Sequence, residues 1–421
     1  MDLFNSKARC ANIIHNLCDK ICNPTIWKAL FVSEQLFIGG KNSNKVLSAA
    51  SKKMKKFISF YRPSPYKPEG IIYSSDQWFE NGPPKEMEGS WFKEVISERK
   101  IYRTKAKNIW GYLHPPLNKW HGHHKEPKAN LCLLKNAKIV NENGVVITSD
   151  DKVFSDFTYQ IGKPIEKNDV FKSYIKNPKF KSGCFATIAS SESSGYFHWM
   201  LECLPRLKIL EDYKEKIDYL IVPHDLSKFH LETLYFLGYT EDKLYRIKNG
   251  MNLQCEELFV PSLPIGDALM SEWVCDFLRE SFLPKNVDEP HRLIYISRKD
   301  ALYRKITNEK EVENYLQKIG FEILQMSKLP FLEQVKICSE AKIVIGPHGA
   351  GLTNIAFCKN AKILELFSPS YIGGFFILAS NGDNEYWYLL GEDRPGNSPP
   401  QWRDFKIDIN QLEQLLDMIN N

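Results

Sequence analysis

From about residue 137 the chain alternates two rhythms. Short aliphatic runs of the kind a buried strand uses take turns with longer stretches whose apolar residues recur at helical spacing. Ala137–Val140 and Gly144–Thr148 predict two strands joined at Asn143-Gly144, a strong hairpin signal. Strands are predicted at Phe185–Ala189, Asp218–Pro223, Lys243–Ile247 and Glu257–Val260. A helix-like segment begins near Tyr196 and a helix covers Ser227–Leu237. A proline-bounded helix, Ser271–Leu283, links this half to a second alternation. There, strands are predicted at Leu293–Ser297, Phe321–Leu324, Ile343–Ile345 and Ile363–Phe367, with helices at Glu309–Lys318, Leu332–Glu340 and Gly351–Phe357. The apolar run Ile363–Ala379 reads as strand, loop and strand, and Asn410–Met418 as a terminal amphipathic helix. Strands alternating with helices predict parallel sheets. Two such halves in succession predict an α/β protein of two Rossmann-like lobes.

The boundaries follow from where the pattern changes. Residues 1–125 form an N-terminal extension of unclear fold, with helices expected at Ala11–Cys22 and Lys45–Lys56. Pro63, Pro65 and Pro68 mark a turn-rich connection. Residues 126–268 make the first lobe, 269–405 the second, and 406–421 the closing helix.

Composition narrows the class. A chain of 421 residues with 43% hydrophobic content builds full cores and is not a disordered segment. A net charge of +5, from 56 basic and 51 acidic residues, suits an anionic small molecule. No nucleic-acid motif is present. The ten cysteines are scattered without metal or disulfide spacing, and Asp2, Lys7, Arg9 and His15 interrupt any apolar leader core. These features predict reduced, buried thiols in a cytoplasmic protein with no membrane span, peripheral contact with the inner face of a membrane being the only association left open. His114, His121, His123 and His124 cluster in a Pro/Gly-rich loop without a metal-ligand spacing. Asp150-Asp151 reads as a turn. Neither metal nor cofactor is expected.

The candidate chemistry centres on Lys342–Asn354, which reads KIVIGPHGAGLTN. A β-branched strand breaks at Gly346-Pro347-His348-Gly349 and a helix follows. Such a turn offers backbone N–H groups to a phosphate or carboxylate, and Gly349 and Gly351 allow close approach. The spacing is neither a dinucleotide fingerprint nor a Walker loop. Glu365, near the end of the next apolar strand, is costly to bury unless something binds it. It is a candidate acceptor for ribose or sugar hydroxyls. Arg298 and Arg304 follow another strand end, where guanidinium groups suit a pyrophosphate. His198, Glu202 and Arg206 lie four apart and share a helical face, although Pro205 disturbs a regular helix there. His198 or Glu202 is the candidate base, the other orienting it.

Three stretches in order resemble the glycosyltransferase 61 family: Gly195-Tyr-Phe-His-Trp-Met-Leu-Glu-Cys-Leu-Pro-Arg206, Tyr295-Ile-Ser-Arg298 with Arg304 and Asn308-Glu309, and GPHGAGLTN followed by AKILELF. Plant xylosyltransferases, animal O-linked N-acetylglucosaminyltransferases and bacterial capsular polysaccharide proteins belong to it. The resemblance implies a two-lobed GT-B arrangement with the active site in the cleft. It implies an inverting, metal-independent transferase using a nucleoside-diphosphate sugar, with uridine as the expected base. The acceptor is expected to be a polysaccharide or glycolipid. Donor contacts are expected from Arg298, Arg304, the His348-Gly349-Ala350-Gly351 turn, Asn354 and Glu365, with the arginines stabilising the departing diphosphate. A noncatalytic nucleotide-sugar-binding protein and a sugar-nucleotide epimerase remain open on the same residues.

Overall fold

The computed structural model describes residues 64–420, apart from 159, 161–162, 267–268, 370–373 and 395–398. The helices expected at Ala11–Cys22 and Lys45–Lys56 fall outside the described residues. Residues from Ser64 onward pack as one unit, a mixed α/β arrangement built on two large sheets.

The second sheet decides where the site lies. Its five strands run in the spatial order Glu322–Leu324, Arg292–Ile296, Ala341–Pro347, Lys362–Phe367, Glu385–Leu390, and every neighbouring pair is parallel. Parallel neighbours need crossovers, and the helices Glu309–Lys318, Phe331–Ser339 and Phe375–Asn381 supply three of them. The period-two alternation feeds two cores. Tyr295, Ile343, Ile345, Leu364 and Leu366 pack with Val312 and Leu316 of one helix and Leu412 and Leu415 of the terminal helix Ile409–Asn420. Ile294, Ile296, Val344 and Ile363 point the other way, into a core that also holds Trp199, Leu201 and Leu204.

The first sheet has ten strands and is mixed. Asn252–Pro261, Lys179–Thr187, Tyr219–Pro223 and Leu244–Ile247 lie side by side and parallel. On its other edge Asn252–Pro261 pairs antiparallel with Lys138–Val140 and Ala129–Lys135. The parallel order expected from Phe185 onward is found. Earlier in the chain, the successive strands Lys138–Val140, Val145–Ile147 and Lys152–Phe154 are joined by connections too short for crossovers and pair antiparallel. The Asn143-Gly144 turn does close a hairpin, pairing Val140 with Val145, with Gly144 at φ 66°. Residues 70–135 contribute strands to this sheet: Gly70–Ile72 pairs with Lys152–Phe154, and Trp91–Ile96 with Ala129–Lys135.

Two segments differ in type from their sequence pattern. Ile363–Ala379 is a strand followed by the helix Phe375–Asn381, whose residues Phe375–Ala379 are all buried. A helix that is apolar all round carries no period to distinguish it from a strand. Ala350–Phe357 is a 3-10 helix rather than an α-helix. No helix among the described residues is long and apolar enough to cross a membrane. The free cysteines among them, Cys184, Cys203 and Cys338 included, are buried.

Candidate active site at the sheet reversal

Numbered by their order in the chain, the five parallel strands stand 2-1-3-4-5. Between the first and the third the winding reverses. Crossovers leave on opposite faces there, and open α/β sheets take their ligands at such a point, outside the carboxyl ends of the strands. Arg292–Ile296 ends in Ser297-Arg298, and Ala341–Pro347 ends in His348-Gly349. The two motifs thus meet across the reversal.

They meet in contact. A Cβ built on Gly349 would stand 1.4 Å from Nη1 of Arg298, so the guanidinium lies against the bare glycine backbone. Nη2 of Arg298 donates to the carbonyl of Tyr303 at 3.3 Å, and Nε is buried without a hydrogen-bond partner. Arg304 adopts the left-handed backbone region at φ 57°, with its guanidinium carbon 5.0 Å from the centre of the Tyr303 ring. Burial, and then the charge of Arg304, lower the proton affinity of Arg298. A guanidinium keeps its proton at neutral pH all the same. The strand end itself is tied by buried Glu309. Its Oε1 accepts from the Tyr295 hydroxyl at 3.1 Å, the Ser297 hydroxyl at 2.8 Å and the Arg298 backbone N–H at 3.1 Å.

His348 is buried, and its Nδ1 contacts Oε1 of Glu365. The Tyr386 hydroxyl donates to Oε2 of Glu365 at 2.5 Å. Glu365 is fully buried with both oxygens taken, which leaves no oxygen facing a ribose as the sequence suggested. Burial above all, aided by the charges of Arg304 and Arg298, lowers the His348 pKa against the pull of Glu365. A neutral ring with its proton on Nδ1, toward Glu365, satisfies that geometry.

The rest of the turn packs. A Cβ on Gly351 would meet Cγ2 of Ile296 at 3.0 Å, so this glycine brings the 3-10 helix down onto the neighbouring strand. Ala350 is exposed at the start of that helix. Asn354 is fully buried; its Nδ2 donates to Gln334 Oε1 at 2.9 Å and to the Gly351 carbonyl at 3.2 Å.

The second candidate group sits after the strand Lys179–Thr187, on the other sheet. Tyr196–His198 is one helical turn, Trp199–Cys203 a π-helical turn, and Arg206–Ile209 a short α-helix. Pro205 explains the π-turn. It has no N–H and its ring clashes with the carbonyl four residues back, so the coil widens. Leu204 N–H accordingly bonds the carbonyl of Trp199, five back, at 2.8 Å. His198 Nδ1 stays 2.6 Å from Glu202 Oε1. The His198 side chain is 25% exposed and that of Glu202 6%, so the imidazole is the member that reaches solvent. Burial works against the imidazolium. The hydrogen bond and charge of Glu202, with Glu192 behind them, outweigh it and raise the His198 pKa. Arg206 leaves this pair. Buried, it donates to Ala189 O at 3.1 Å and to Pro261 O at 2.7 Å, tying together the carboxyl ends of two adjacent strands.

Side chains join the two groups. The Tyr196 hydroxyl donates to Asn354 Oδ1 at 2.6 Å. The Phe197 ring centre lies 5.2 Å from that of His198 and 5.6 Å from that of Phe375, which in turn lies 5.1 Å from His348. Tyr196, Glu309, Gln334, Phe375 and Tyr386 were not singled out from sequence. Tyr196 and Glu309 stand inside the resemblance motifs; the other three carry no local signal. Of the histidines expected in a loop, His123 and His124 instead lie in the strand Gly122–Glu126, which pairs antiparallel with Arg99–Arg103; His121 Nδ1 lies 2.7 Å from the Asn118 carbonyl and His124 Nε2 3.1 Å from that of His121.

Residues 196–364 match the model of the family described as Glycosyltransferase 61. The chain is similar to a beta-1,2-xylosyltransferase of Oryza sativa subsp. japonica, 26% identical over 159 residues, covering 34% of this chain and 29% of the rice protein. It is similar to the EGF domain-specific O-linked N-acetylglucosamine transferase of Drosophila melanogaster, 34% identical over 161 residues, 35% of this chain and 30% of the fly protein. The Bos taurus protein of the same name is 39% identical over 72 residues, 16% of this chain and 14% of its own. The chain thus spans less than a third of the length of these relatives. The expected family resemblance is borne out. The expected cytoplasmic setting is not: the likeness to a xylosyltransferase and to EGF domain-specific transferases stands against it, so the scattered cysteines and interrupted leader pattern are no guide to compartment.

Proposed function

We propose that this chain, whose residues 196–364 are of the glycosyltransferase 61 family, is itself a glycosyltransferase. In this reading it takes a sugar from a nucleoside-diphosphate donor, with uridine the expected base, and passes it to a saccharide or glycolipid acceptor with inversion. The two sheets serve as the Rossmann-like lobes of a GT-B arrangement, dividing near residue 268.

The observation that carries the proposal is the contact of Arg298 with the Gly349 backbone at the reversal of the parallel sheet, with Arg304 and neutral His348 alongside. Two fixed guanidinium groups beside a glycine turn complement a diphosphate bidentately and stabilise its growing charge as it departs. Glu365 acts through His348, holding its tautomer. On the other side, His198 takes the proton of the acceptor hydroxyl at Nε2, and Glu202 holds Nδ1–H and orients the ring. Asn354 and Gly351 shape the turn. The arginines do the electrostatic work that a divalent cation does in other transferases.

The test is a thermal-shift screen of the purified chain against nucleoside-diphosphate sugars, followed by turnover with the best binder. Binding raises the melting temperature by linkage. The expected result is stabilisation by one donor, sugar release that requires an acceptor, and unchanged rate in excess chelator. Donor conversion without an acceptor, or loss of all turnover in chelator, overturns the respective part of the reading.

A further inference from the structure

Beside the arginines stands an aromatic pair that neither the packing nor the proposed chemistry uses. The rings of Tyr303 and Trp402 stack at 5.7 Å between centres, tilted by 25°. Both are exposed, at 41% and 52%, and neighbouring Leu302 is exposed at 90%. Among the stacked ring pairs of the described residues, this is the one with both rings exposed.

The pair is held in place. Phe405 N–H donates to the Lys305 carbonyl at 3.0 Å, and Thr307 N–H to the Phe405 carbonyl at 2.8 Å. Lys305 N–H donates to Oδ1 of Asp404 at 2.8 Å. The loop after the first parallel strand is thereby fastened to the segment carrying Trp402. Its cations are fastened to the pair as well: Arg304 lies over the Tyr303 ring, and Arg298 donates to the Tyr303 carbonyl.

We infer that Tyr303 and Trp402 form a stacking platform for the nucleobase of a nucleoside diphosphate whose phosphates lie on Arg298 and Arg304. A base has two π-faces and no charge, and its diphosphate is strongly anionic. Exposed rings adjoining fixed guanidinium groups complement both ends of that one molecule. A carbohydrate acceptor fits less well here, because it gives the two arginines nothing to neutralise. The inference rests on the proposed donor reading and assigns half of the base platform to Trp402, which lies beyond the segment 196–364 matched to the family.

Isothermal titration of the full chain with UDP, GDP, CDP and inorganic pyrophosphate separates the two ideas. Trp402 is the residue to change, since its ring touches Tyr303 rather than either arginine. Trp402→Ala is expected to weaken the tightest nucleoside diphosphate by about 5- to 100-fold, the usual range for one stacked base. It should leave pyrophosphate binding and the melting temperature unchanged, and Trp402→Phe should restore most of the affinity. If Trp402→Ala binds the nucleoside diphosphate as the parent does, the platform is wrong and the donor site stands. If pyrophosphate binds as tightly as every nucleoside diphosphate, the platform is again wrong. If the parent binds none of the four, the donor reading itself falls, and the platform with it.

Discussion

Nη1 of Arg298 stands where a side chain on Gly349 would begin, 1.4 Å from the ideal Cβ position. At φ 163° the Gly349 backbone is extended, so conformation does not call for glycine here; the space taken by the guanidinium does. Gly349→Ala is therefore expected to move the end of a flexible arginine rather than the fold. Stability should change by less than about 1 kcal/mol, while the donor KM rises about tenfold or more as a bidentate contact is lost. Calorimetric melting and initial-rate kinetics check the two halves. An unchanged KM would show that Arg298 does not bind the donor from this position.

His198 and His348 are both paired with a glutamate, yet their pKa values move in opposite directions. Glu202 holds His198 above its ordinary value of about 6.5, and a base must be neutral to work. Activity should therefore climb with pH through a transition above that value. Glu202→Gln should shift the transition to lower pH and reduce the plateau. His198→Ala should cost about 10²- to 10⁴-fold in kcat, the usual share of a general base. The linkage runs the other way for stability: the charged pair stabilises the fold below about pH 6.5, and that contribution is lost as pH rises through the raised folded-state pKa. A pH–rate profile with no limb assignable to His198 would remove it as the base.

The parallel half of the fold was legible because its strands are short apolar runs between helices with clear period. Glu309–Lys318 is found where its periodicity predicts it, and Asn410–Met418 falls within the observed Ile409–Asn420. Phe375–Asn381 was misread because an all-apolar helix carries no period. The antiparallel edge of the first sheet depends on pairings such as Leu258 with Leu134, far apart in the chain, which no local pattern encodes. In the site, the pairing of His198 with Glu202 could be read from helical spacing, and the π-turn kept it. The contact of Tyr386 with Glu365 could not, since it joins neighbouring strands in a register fixed only by the assembled sheet.

Glu309 touches no expected ligand, yet it fixes the strand end from which Arg298 projects. One oxygen accepts all three hydrogen bonds, from Tyr295, Ser297 and the Arg298 backbone. Glu309→Ala leaves these donors without their acceptor, at about 1–3 kcal/mol for a buried group so stranded. The melting temperature should fall and the donor KM should rise with it. Glu309→Gln keeps an acceptor oxygen in place and should recover most of both. A fall in stability alone, with KM intact, would show that Arg298 holds its position without this anchor.

Pro205 shapes the base without touching it. Because it bars a regular helical bond to Leu201, the chain takes the wider π-turn, and Leu204 N–H bonds Trp199 O instead. Pro205→Ala restores the missing N–H and removes the ring clash, so the turn is free to tighten to α-helical winding. That rotation would carry His198 away from its position over Phe197. Melting temperature should hold or rise, while kcat falls about a hundredfold for a displacement on the order of 1 Å. Donor affinity should stay put, because Arg298 and Gly349 belong to the other sheet. A variant that tightens, keeps its stability and turns over at the parent rate would mean that the π-turn relieves the proline and does nothing for catalysis.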